Sequence, residues 1–112
     1  MRRTILVLFL LLTLSFLVRV YKLDQIPNGF FFDEATISYQ AYSVYKIGHD
    51  TWGVPWPVFS FKDYGEYILP LGVYGQIPAI ALGGLSIWWA RITGVLLGIL
   101  LVGLTYWLGK LM

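Results

Sequence analysis

The stretch Thr4-Ile5-Leu6-Val7-Leu8-Phe9-Leu10-Leu11-Leu12-Thr13-Leu14-Ser15-Phe16-Leu17-Val18 decides the fold. It holds no charge and no residue more polar than a small hydroxyl, and Val20 and Tyr21 extend it to the roughly 17–20 residues that a bilayer-spanning helix needs. The chain as a whole agrees. Of its 112 residues, 58% are hydrophobic and only 12% charged, with a mean hydropathy of +0.71, whereas a soluble domain carries about a quarter of its residues charged. Arg2 and Arg3 precede the run as the n-region of a signal peptide would, but Ser15-Phe16-Leu17-Val18-Arg19 has no small-x-small cleavage site, so a retained anchor over 4–21 is expected. A second apolar run, Ile92 to Leu108, lies between Arg91 and Lys110 with Trp88, Trp89 and Trp107 at interfacial positions, and predicts a spanning helix over 87–109. Gly94 and Gly98 form a small-xxx-small pair on it, suited to close approach by another helix.

Composition also excludes several functions. Eight basic against six acidic residues leave a formal charge of +2, too small an imbalance to hold nucleic acid. The absence of Cys removes disulfide frameworks and thiolate chemistry, and a single His makes a His-based metal cluster implausible. Two spans put both termini on one side. All six acids (Asp24, Asp33, Glu34, Asp50, Asp63 and Glu66) fall between the spans against three Lys, so residues 22–86 are expected outside and the termini in the cytoplasm.

That connection is too aromatic for a disordered tether and is expected to fold against the membrane surface. Pro27-Asn28-Gly29 signals a turn, Asp33 is a candidate N-cap and Gly48 a C-terminal stop, which predicts a helix over 34–47. Ile37, Ala41 and Val44 would share one face of it, with Tyr39, Tyr42 and Lys46 opposite, the pattern of an interfacial helix. Trp52 to Pro57 should break regular structure, and a second juxtamembrane helix is expected from about Pro70 toward Leu82, kinked at Pro78. The expected fold is therefore an all-α membrane protein: two transmembrane helices joined by an extracytoplasmic loop that carries one or two juxtamembrane amphipathic helices.

The candidate chemistry sits in Phe30-Phe31-Phe32-Asp33-Glu34-Ala35, two carboxylates behind a hydrophobic triplet at a helix start near the interface. Backbone amides and the helix dipole favour negative charge there, as a general base requires. The plainer alternative is that Asp33 only caps and Glu34 only decorates the first turn. His49 beside Asp50 reads as a surface turn rather than a base with its orienter, and most of the aromatic residues read as an interfacial belt, although their faces could also stack on sugar rings.

The series Pro27-x-Gly29-x3-Asp33-Glu34-Ala35, Tyr39, Gly48-x-Asp50-x2-Gly53, Asp63-Tyr64, Pro70, Tyr74, Pro78, Gly84 and Arg91 resembles the first segment of GT-C membrane glycosyltransferases. The likeness is to the branch of the protein O-mannosyltransferases and the lipid A aminoarabinose transferases, and it covers nearly the whole chain. It implies transfer of a sugar from a polyprenyl- or dolichyl-phosphate donor to a hydroxyl acceptor on a protein, lipid or glycan, at the outer face of the plasma membrane. It implies that Asp33 is the base and that Glu34 orients it or the acceptor. It also implies further C-terminal transmembrane helices, so that 1–112 would be the N-terminal part of the domain and inactive alone. Related proteins often carry a Lys-Pro-Pro run after the Asp-Tyr pair, where this chain has Gly65-Glu66-Tyr67-Ile68-Leu69-Pro70. The phosphate contact then falls to Lys62, Arg91 or a cation elsewhere, with Tyr64 as a further substrate-binding candidate. No cofactor is required by this reading; a divalent metal could use Asp33 and Glu34, but one pair of acids falls short of a coordination sphere. The rival class is a small two-span scaffold or subunit without catalysis, docking through Gly94 and Gly98.

Overall fold

A computed structural model of the chain describes residues 2–112. It contains α1 (Arg2–Val20), α2 (Phe32–Ile47), β1 (Phe61–Lys62), β2 (Tyr67–Ile68), α3 (Pro70–Gly83) and α4 (Ile87–Leu111). At 1.5 Å per residue, α1 and α4 are about 28 Å and 37 Å long, against a hydrocarbon core of about 30 Å. Both are long and apolar enough to cross a membrane. No residue of α1 is buried by the protein, and α4 buries only Ala90, Arg91, Ile92 and Val95, all toward its N-terminal end. Their exposed leucines are apolar surface that the chain itself does not cover.

The two long helices pack on each other, and α3 packs on both α2 and α4. One core gathers Ala41 and Val44 of α2, Phe61 of β1, and Val73 and Ile80 of α3. A second joins Leu23, just past α1, to Ala79 of α3 and to Ile92 and Val95 of α4. The two cores meet at α3, so the middle of the chain is fixed to the junction of the two long helices.

Local chemistry accounts for most boundaries. Gly48 ends α2 in the left-handed conformation (φ 72°), with its N–H on the Val44 carbonyl. Pro70 opens α3, where its missing N–H costs nothing. Pro78 is accommodated inside that helix, as expected. Ser86 caps α4, its hydroxyl accepting from the Trp89 N–H at 3.3 Å. The start of α2 differs from expectation: the helix begins at Phe32, not 34, and Phe31 is the N-cap, extended (φ −66°, ψ 149°) and without a side-chain bond. Asp33 is thus inside the first turn and does not cap. Ile37, Ala41 and Val44 of α2 share a face as expected, but that face packs on β1 and α3 instead of lying free as an interfacial helix would leave it, and Tyr42 joins that core, leaving Tyr39 and Lys46 exposed.

A short antiparallel hairpin went unanticipated, pairing Phe61 with Ile68 and Lys62 with Tyr67. Its two-residue strands are below the length at which alternation can be read. Preceding it, Asp50 organises a tight turn, its carboxylate Oδ1 accepting from the Trp52 N–H at 2.9 Å and the Val54 N–H at 2.8 Å. His49 lies in a backbone bridge with Pro55 and is exposed, as a surface turn would have it, but Asp50, expected at the surface with it, is buried by the turn it organises.

Candidate functional site

The site is built around Arg91, in the second turn of α4. Its side chain is 5% exposed. Nη1 donates to the carbonyls of Leu23 (2.9 Å) and Pro27 (3.1 Å), and Nη2 donates to the Gly29 carbonyl at 2.6 Å. Nη2 and Nε both reach the Glu34 carboxylate, at 3.1 and 3.4 Å. A guanidinium has five N–H bonds, and all five are engaged. The connection after α1 is thereby folded onto α4, and the first turn of α2 is pinned to the same point. Gly29 (φ 86°) supplies the left-handed turn that brings this carbonyl round.

The adjacent carboxylates part company in consequence. Successive helical residues are turned about 100° from one another, so when Glu34 faces Arg91, Asp33 faces away. Asp33 is exposed and makes no hydrogen bond or ion pair among the described residues, whereas Glu34, 35% exposed, is the partner of Arg91. Beneath them a polar seam crosses the helices. The Ser38 hydroxyl donates to the Glu34 carbonyl at 2.7 Å, and the buried Gln76 amide donates to Ser38 Oγ at 3.4 Å and, more closely, to the Ala90 carbonyl.

On the other side of α2 lies a cavity of about 360 Å³, walled by Phe30, Phe32, Thr36 and Tyr39 and closed by Thr51, Asp63 and Tyr64. Gln40 braces its floor. Only 1% exposed, its amide donates to the Lys62 carbonyl and accepts from the Thr51 N–H, each at 3.0 Å, tying both the hairpin and the Asp50 turn to α2. Lys62 Nζ lies 4.8 Å from the centroid of Trp52, whose ring meets Tyr64 edge-on at 5.8 Å.

Of the residues singled out in the sequence, Glu34 and Arg91 are brought together, Lys62 and Tyr64 meet around Trp52, and Asp33 pairs with neither group. Arg91 has no N–H left for a phosphate while its present bonds hold. Lys62, exposed and held only by an aromatic face, does. Gln40 and Gln76 were not legible in the sequence, since a lone amide in an amphipathic helix carries no pattern; Asp63 was visible only as half of an Asp-Tyr pair. Among the described residues, no three His, Asp or Glu side chains are grouped so as to hold a metal ion. Comparisons with protein-family models, curated proteins and solved structures gave no match.

Proposed function

We propose that this chain is part of a membrane glycosyltransferase that moves a sugar from a polyprenyl- or dolichyl-phosphate donor to a hydroxyl acceptor on the extracytoplasmic face. One observation carries the reading: Asp33 is an unpartnered carboxylate in the first turn of a helix that the Arg91–Glu34 pair fixes beside the ends of two membrane-length helices. Asp33 takes the proton of the acceptor hydroxyl. The acceptor oxygen then bonds to the anomeric carbon as the bond from that carbon to the phosphate oxygen breaks, and the polyprenyl phosphate leaves with the electron pair. Sugar phosphates are fair leaving groups, so one positioned base and a cation near the phosphate meet most of the chemical need. Lys62 is the cation available here, and Glu34 acts through Arg91 to hold the turn in place. The remaining walls of the donor groove come from further spanning helices. Both termini of this chain lie in the cytoplasm.

The test is Asp33→Asn in the complete transferase, assayed in membranes with a radiolabelled polyprenyl-phosphate sugar. Removal of a general base lowers turnover by about 10²–10⁴-fold, with protein level and donor binding retained. Transfer at the unmodified rate would overturn the assignment.

A further inference from the structure

The cavity across α2 from Arg91 has a chemical character that the transferase reading leaves unused. It is lined by the rings of Phe30, Phe32 and Tyr64, the hydroxyls of Thr36 and Thr51, and the Asp63 carboxylate. Asp63 is half-buried, and only its backbone is bonded, the N–H to the Glu66 carbonyl at 2.9 Å; its carboxylate has no hydrogen-bond or ionic partner among the described residues. No Lys or Arg lines the space. A negative cavity wall without a cation repels phosphate, which turns the cavity away from the charged part of any lipid-linked donor. Flat apolar faces beside a carboxylate acceptor and two hydroxyls suit instead a neutral ring that carries hydroxyl groups, whose C–H faces lie on the aromatics and whose O–H groups donate to Asp63. The volume, about 360 Å³, is that of a small-molecule site. Asp33 is not itself in the lining, but helical spacing sets it one turn from Thr36, which is.

We infer that this cavity is a carbohydrate subsite, in which Asp63 accepts hydrogen bonds from ring hydroxyls and Tyr64 covers a ring face, and that the ring it takes is the acceptor's. The acceptor is then a glycan rather than a protein side chain or a simple lipid. That last step rests on the transferase reading; binding itself does not. Gln40 keeps the subsite in shape by tying Thr51 and the hairpin that carries Asp63 and Tyr64 to α2.

The experiment uses the 112-residue chain in lipid nanodiscs with methyl α-mannopyranoside, methyl β-glucopyranoside and methyl β-galactopyranoside, read by saturation-transfer NMR, with inorganic phosphate and tetramethylammonium as controls. At least one glycoside takes up saturation; Asp63→Asn weakens its binding by about tenfold, as befits the loss of a hydrogen bond to a charged group, and Tyr64→Ala weakens it as well. Both residues are on an exposed hairpin turn, so circular dichroism should show both variants folded. Failure of every glycoside to bind, or binding indifferent to both substitutions, overturns the inference. Tetramethylammonium bound in an Asp63-dependent way, in place of the glycosides, overturns it in favour of an amine site. In the complete transferase, Asp63→Asn raises the KM for the glycan acceptor with the donor KM unchanged, and the opposite split overturns the acceptor assignment. If Asp33→Asn leaves transfer intact while glycosides still bind through Asp63, the catalytic reading falls and the subsite stands.

Discussion

Glu34 and Arg91 are 57 residues apart in the chain and 3.1 Å apart in space. Nothing in the sequence joins them. Each stands out locally, Glu34 as half of an acidic pair and Arg91 as a cation heading an apolar run, and each suggests a direct dealing with substrate. Their pairing gives both a different immediate task. Arg91→Ala strips four oxygens of their donor, and with Glu34 a third exposed to water the loss should sit at the low end for a broken buried pair, roughly 3 kcal/mol. Denaturation in detergent micelles measures it. Arg91→Lys should recover little, because a compact ammonium with three donors cannot span these carbonyls and the carboxylate together. Asp33 behaves oppositely: its substitution should leave stability within about 0.5 kcal/mol and act on turnover alone. The same denaturation experiment run on both variants separates the residue that builds the site from the one proposed to react.

At the level of elements, hydrophobic patterning and Gly/Pro punctuation were enough to place the four helices. Gly48 stops α2 and Pro70 starts α3 where expected, because these residues act through their own backbone and need no partner. The start of α2 was not legible. Asp33 has the chemistry of a cap, but the Arg91 bonds to the carbonyls of the preceding turn bring Phe31 into the capping position. The hairpin was missed for a related reason: its strands are held through Gln40 and the core residue Phe61, both tertiary effects. Two predictions belong here. A Cβ on Gly83 would overlap the Trp89 indole, which meets Trp88 edge-on at 5.0 Å. Gly83→Ala should therefore displace that ring and shift tryptophan fluorescence, with α3 still helical by circular dichroism. The Tyr74 hydroxyl donates to the Pro57 carbonyl at 2.7 Å, tying α3 to the segment ahead of the hairpin, and burial raises its pKa above the ordinary 10.0. A raised value means the protonated form is favoured in the folded state, so this contribution is complete below pH 10 and fades as pH climbs through the folded-state value. Tyr74→Phe should cost about 1 kcal/mol at neutral pH and remove that part of the alkaline loss, as pH-dependent denaturation would show.

For the molecule as a whole, the two long apolar helices were evident from composition and run length. Which side the middle of the chain occupies rests on charge balance alone. Single cysteines answer it, since the natural sequence has none. Cysteines replacing Thr4 and Lys110 should resist a membrane-impermeant maleimide in intact cells, and one replacing Tyr64 should react; the reverse pattern would invert the orientation. The packing of α4 is also more specific than its glycines suggested. A Cβ on Gly98 would stand 2.9 Å from Nε of Arg19, so this position of the small-residue pair is already covered by α1, while Gly94 faces open space.

The bonds from Arg91 to Leu23, Pro27, Gly29 and Glu34 have a consequence in time. All four acceptors leave the ribosome well before Arg91 does, and although α2 can pack on α3 and the hairpin earlier, the turn ahead of Asp33 lacks its Arg91 anchor until α4 arrives. During synthesis the proposed catalytic carboxylate therefore sits at the end of a helix whose entry is not yet anchored. That entry is fixed only as the second long helix docks, so helix docking and completion of the proposed reactive centre become a single event.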